Sequence, residues 1–164
     1  MIWGIAGVIL FLATAIARLI PIAIEALRMD LDPIHLVGLA ASVLSLGYYE
    51  GYRAFQKGFS PRTVARGFWI ASNPRPLYVL LAPLHCMQLF HATRKRVIVS
   101  WGVLLGVTLL VILVRMLDQP WRGIVDAGVV VGLSWGTISM LVYWARALGG
   151  QPMPVPPDLP EGVV

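Results

Sequence analysis

His85, Gln88, His91 and Arg94 recur every three residues. On a helix this spacing traces a polar stripe that drifts slowly around one face. Imidazoles relay protons, ligate metals and hold anions, so the stripe is a candidate contact for a lipid headgroup, a water-lined cleft, a metal or a haem. Ligation of haem by two histidines needs them at matching depth on facing helices, which makes His35 the natural partner to weigh against His91. The plainer alternative is a histidine hydrogen-bonded to the neighbouring helix.

Arg18 lies within a long apolar run, with Glu25 seven residues later on nearly the same face. An ionisable group at membrane depth is costly and usually faces protein or a cavity. Arg18 therefore reads as a snorkelling or ion-paired residue, or as part of a substrate or ion pathway. Asp126 follows Arg122 by four residues, one helical turn. Asp30 and Asp32 sit in a turn before Pro33, where helix capping accounts for them better than magnesium binding does.

Cys86 is the single cysteine, which excludes disulfides and cysteine zinc sites. The chain has no glycine-rich phosphate loop, paired-histidine zinc motif or nucleophile elbow. No residue is therefore assigned a catalytic role, and no metal site is expected.

Glycine spacing is the sharpest pattern. Gly128, Gly132 and Gly136 repeat every four residues, as do Gly102 and Gly106, and Gly47 and Gly51. In lipid, where packing instead of water exclusion holds helices together, such positions let backbones approach closely. They predict helix-packing faces, used within one bundle or as a self-association or partner-binding face.

The elements that carry these residues follow from composition. Of 164 residues, 58% are hydrophobic and 13% charged, against about 25% charged in soluble domains. A run of about 20 apolar residues crosses the hydrocarbon core as a helix. Such runs predict spans at residues 2–27, 34–53, 97–117 and 123–148, with Pro21 kinking the first. Residues 15–17 loosely resemble a signal-peptidase site, but no basic region precedes Ile2, so an uncleaved first span is expected. Residues 53–75 are basic and amphipathic, with Arg62, Arg66 and Trp69 near one face and Val64, Phe68 and Ala71 near another. This pattern predicts a short helix lying in the membrane surface, opened by Ser60 as N-cap and Pro61. Tyr48, Tyr49, Tyr52 and Phe55 suit an interfacial aromatic belt.

Residues 77–92 are short for a crossing. If they dip in and return, Arg53, Lys57, Arg62, Arg66, Arg75, Arg94, Lys95, Arg96 and Arg146 share one side, and only Arg28, Arg115 and Arg122 lie opposite. If they cross, the split becomes seven against five. The positive-inside rule favours the first arrangement: an all-α polytopic transmembrane bundle of four spans, alternatively five, with a basic interfacial or re-entrant segment. Both termini then lie in the cytoplasm of a bacterial-type cell, with the bundle in its inner membrane. Residues 1–148 form the helical domain, and residues 149–164, with five prolines, form a disordered tail.

The net charge of +5 points to anionic lipid headgroups and away from nucleic acid, because the basic residues flank apolar runs. The expected partners are membrane lipids and either a second copy or another membrane protein. The expected role is a non-catalytic accessory, assembly or scaffold subunit packing through glycine faces, with no cofactor. The alternatives are an oligomeric transport component for a small solute or ion, and a haem-binding redox or lipid-modifying enzyme using His85 and His91.

Overall fold

The computed structural model describes residues 1–159, which are helical with no strand. The elements run α1 (Ile2–Leu27), α2 (Pro33–Leu46), a π-helix (Gly47–Phe59), α3 (Ser60–Ser72), α4 (Pro76–Leu80), α5 (Ala82–Cys86), α6 (Arg94–Arg115) and α7 (Trp121–Leu148). Three of them, α1, α6 and α7, are long and apolar enough to cross a membrane. α1 matches its predicted run residue for residue and continues through Pro21.

The second predicted span takes a different form. Its α-helix stops at Leu46, and the backbone then winds as a π-helix before returning to α geometry at Ser60. Most π-helices are single-turn bulges; this one has 13 residues. Pro61 contributes to the change, since it has no N–H to give the preceding turn. The Ser60 N–H bonds to the Phe55 carbonyl, five residues back.

This winding sets Gly47, Gly51 and Phe55 in a row against α7. A methyl group added at Gly47 would meet Val131, and one at Gly51 would meet Trp135 at 2.9 Å. From the other side, Gly128 faces Ser42, Gly132 faces Glu50 and Gly136 faces Phe55. Gly128, Gly132 and Gly136 are all buried. The four-residue glycine rows of the two elements thus interdigitate, giving the close backbone approach that small residues permit in a bundle. α1 packs along the opposite side of α7, where Gly123 meets Ala26.

Two capping expectations are corrected. Asp32 occupies the N-cap position of α2 but makes no side-chain cap bond; its carboxylate lies 3.9 Å from His35 Nδ1 instead. Ser60 opens no free helix end, because the π-helix runs into it. Its hydroxyl donates to the Gly136 carbonyl at 3.1 Å and accepts from the Ser139 hydroxyl at 2.9 Å. Arg122 and Asp126 stand as an i,i+4 pair at 4.0 Å.

α3 also departs from its expected setting. Thr63, Val64, Ala65, Arg66, Gly67 and Ile70 are all buried, so the helix is packed inside the molecule and does not lie along a surface. Val64 and Ile70 share a core with Ile5, Val8, Leu12, Cys86 and Met140. Residues 76–92 form the two five-residue helices α4 and α5, with turns after them. They stay beside the first turns of α1, where Gly4 abuts Ala82 and Cys86, Gly7 abuts Pro83, and Trp3 Nε1 donates to the Leu80 carbonyl.

α6 is nearly detached from this bundle. Of its 22 residues only Val114, at the far end, is buried. Near its start, Trp101 Nε1 donates to the Leu89 carbonyl at 3.0 Å. Gly102 and Gly106 have nothing within 4 Å of the position a Cβ would take. Residues 149–159 carry no regular secondary structure beyond a turn and a bend, yet Pro157 and Asp158 are held by arginines. The rest of the predicted tail, 160–164, lies outside the described residues.

Candidate functional site: an arginine-centred polar cluster

Arg66 is the largest fully buried side chain among the described residues. Its Nε donates to the His85 carbonyl at 2.7 Å, and Nη2 donates to the carbonyls of His91 at 2.8 Å and Phe90 at 3.3 Å. Nη1 reaches the tail, donating to the Pro157 carbonyl at 2.9 Å and the Asp158 carbonyl at 3.4 Å. A guanidinium offers five donors in a fixed fork. Here the fork ties α3 to the turn after α5 and to the C-terminal segment.

The turn that supplies those carbonyls is strained. Gln88 and His91 both adopt left-handed backbone conformations, at φ 62° and 52°, which cost a non-glycine residue of order 1 kcal/mol or more. These two reversals fold residues 87–92 back toward Arg66. Bonds to a charged donor, worth about 1.5–3 kcal/mol each, offset the strain.

His85 is fully buried. Its ring stacks on Trp69, with centroids 5.7 Å apart and planes 6° apart, and meets Phe90 edge-on. Arg66 Nη2 lies 3.2 Å from Nδ1. A guanidinium can only donate, so the ring nitrogen facing it accepts and the imidazole is neutral. Burial, reinforced by Arg66 and then His91, pushes the His85 pKa down to about 3. His91 is lowered as well, by partial burial and then by Arg66 and Arg75. Its Nε2 lies 3.1 Å from the Tyr78 hydroxyl. Beside this cluster the Cys86 thiol is buried, and its pKa rises to about 12.

The structure brings the His85 and His91 rings to 5.6 Å between centroids, with His85 on α5 and Gln88 and His91 in the turn that follows it, not as a stripe along one helix. His35 is not part of the group. It packs on Trp121, with ring centroids 4.8 Å apart, at the end of the bundle where α1 finishes. Arg18 is exposed on α1, and no carboxylate lies within ion-pair distance of it among the described residues. Among those residues no three His, Cys, Asp or Glu side chains converge as a metal site would require.

Sequence reasoning did not single out Arg66, Trp69 and Tyr78 as partners of the histidines, nor Asp158 at all. Arg66 and His85 are separated by 19 residues and a proline-rich turn, so no local periodicity connects them. Three apolar helices of this length fit a membrane protein. No protein-family model, curated protein or solved structure matches the chain.

Proposed function

We propose that this chain is a non-catalytic membrane subunit, an accessory or assembly component, whose self-contained bundle presents α6 as a docking helix to another membrane helix. The observation that carries this reading is the contrast between its two glycine patterns. The α7 row is filled from within by Ser42, Glu50 and Phe55, whereas Gly102 and Gly106 on α6 face open space. On a helix otherwise built of large aliphatic residues, two glycines one turn apart leave a notch that only a close neighbour can fill. A further open groove of about 580 Å³ runs along α7 by Val131, Trp135, Ile138 and Val142, adding apolar surface for the same kind of contact.

The polar cluster supports the same conclusion. Arg66 and His85 are closed in by backbone carbonyls and aromatic rings, which suits an architectural role. The placement of residues 76–92 beside the start of α1 supports a returning segment and four crossings, with residues 33–59 as the second. With the basic residues gathered on that side, both termini fall in the cytoplasm under the positive-inside rule. A bacterial inner membrane is the setting consistent with this distribution. Lipids and either a second copy or a different membrane protein are the partners in this reading, and no cofactor takes part.

The test is the assembly state of Gly102→Leu and Gly106→Leu variants on native gels after mild solubilisation, alongside the proteins that co-purify. Loss of a higher-order species or of a co-purifying protein, with the monomer's thermal midpoint unchanged, is the expected result. Variants with the same native mass and the same companions as the parent would refute the proposal.

A further inference from the structure

The end of the chain makes a contact that the subunit reading does not explain. Asp158 lies at the meeting point of three arginines from two helices. Its Oδ2 accepts from Arg62 Nε at 3.1 Å and lies 2.9 Å from Arg96 Nε. The carbonyls of Pro157 and Asp158 accept from Arg66 Nη1, and the Asp158 carbonyl also takes the Thr93 N–H at 3.2 Å. Two successive residues thus direct three oxygens at three guanidinium groups.

Charge and geometry both mark this as a site filled by a substitute. Three guanidinium groups meet one carboxylate among the described residues, leaving an excess of positive charge in a partly buried place. Arg62 and Arg96 approach a single carboxylate oxygen through Nε, not through the paired fork that arginine and carboxylate form at their strongest. Asp158 holds this pose in a left-handed backbone conformation, φ 49°, which is strained for a non-glycine residue. The segment that delivers it is a proline-rich stretch without regular structure, so its withdrawal would disrupt no helix. Arg66, in contrast, would remain aimed: Nε and Nη2 stay bonded to residues 85–91, while Nη1 loses both tail acceptors.

We propose that Arg62, Arg66 and Arg96 form an anion site for a phosphate group, and that Asp158 occupies it in cis as a displaceable stand-in. A phosphate presents several acceptor oxygens on a single atom: a lipid phosphodiester matches the charge of one carboxylate, and a free phosphate exceeds it and adds further strong acceptors. Those oxygens can replace the carboxylate and both tail carbonyls together. Arg94 and Lys95, both exposed at the start of α6, add attraction for an anion arriving from outside. The phosphate belongs either to a lipid headgroup or to a soluble phosphate.

Calorimetric titration of the full chain distinguishes the sources. One arm adds inorganic phosphate to protein in dodecyl maltoside micelles, which carry no phosphate; the other adds short-chain phosphatidylglycerol to the same micelles. Asp158→Asn keeps the tail's length and shape but removes the competing charge. It is expected to bind at least one probe about tenfold more tightly than the parent, about 1.4 kcal/mol, and Arg96→Gln in the same background is expected to abolish that gain. A gain confined to phosphatidylglycerol assigns the site to a headgroup, and a gain with inorganic phosphate assigns it to a soluble phosphate. Equal affinities for parent and Asp158→Asn with both probes, or a gain that survives Arg96→Gln, would overturn the proposal. Gly106→Leu leaves this site untouched, so failure of the docking reading and failure of this one are separately visible.

Discussion

Arg66 Nε donates to the His85 carbonyl at 2.7 Å while Nη2 of the same guanidinium lies 3.2 Å from the His85 ring. One side chain therefore fixes both the backbone and the ring of its partner. Removing it leaves the carbonyls of Phe90, His91 and Pro157 without their donor and the His85 carbonyl with the Gln88 N–H alone. Arg66→Met should destabilise the protein by about 3 kcal/mol or more, the scale of leaving buried polar groups unpaired. Arg66→Lys should fare little better, since an ammonium has three donors on a point and not five on a fork. Thermal unfolding in detergent measures both; a lysine variant as stable as the parent would contradict the forked geometry.

The same pair sets a pH dependence. The His85 pKa falls from 6.5 to about 3 in the folded protein, so between these values the unfolded chain binds the extra proton. Stability must then rise with pH across that window and decline as acid is added. His85→Asn should flatten the dependence between pH 6.5 and 4. A melting midpoint that is equally acid-sensitive in parent and variant would assign the effect to other groups.

Cys86 offers a probe of the same region. Its thiol is buried beside Gly4 and Gly67, with its pKa pushed up to about 12, and the thiolate is the reactive form. A maleimide should label the folded protein at pH 8 orders of magnitude more slowly than the denatured chain. Mass spectrometry of the single adduct follows the rate, and fast labelling of the native protein would place the thiol elsewhere.

Glycines in the two patterns should respond in opposite ways. Gly132→Leu drives a side chain into Glu50, where even a Cβ would come within 3.0 Å, and overpacking of this kind costs about 1–3 kcal/mol. Gly106→Leu meets open space and should leave the monomer's unfolding unchanged. Equal losses in monomer stability would mean that α6 lies against its own bundle.

Ser139 gives a smaller, local effect. Its hydroxyl donates to Ser60 Oγ and sits 2.8 Å from the Gly136 carbonyl, inside the contact between α3 and α7. Ser139→Ala should cost about 1 kcal/mol, the net worth of one buried hydrogen bond. A neutral substitution would show that the Ser60–Gly136 bond alone secures this crossing.

The apolar runs were legible from residue order because crossing a hydrocarbon layer demands a fixed length of uninterrupted nonpolar helix. The run at residues 2–27 became α1 unchanged, and those at 97–117 and 123–148 shifted by a few residues at their charged or aromatic ends. The glycine rows were legible as packing positions, but only the fold decided that Gly128, Gly132 and Gly136 are filled from within while Gly102 and Gly106 stand open. The amphipathic pattern within residues 53–75 placed Arg66 near one face with Arg62 and Trp69. Periodicity reports which residues share a side, not what approaches that side, and here the approaching groups come from residues 85–91 and 157–158. A buried guanidinium needs acceptors from several distant segments at once, so its place is decided by how those segments meet in space, and nothing within a few residues of Arg66 foretells it.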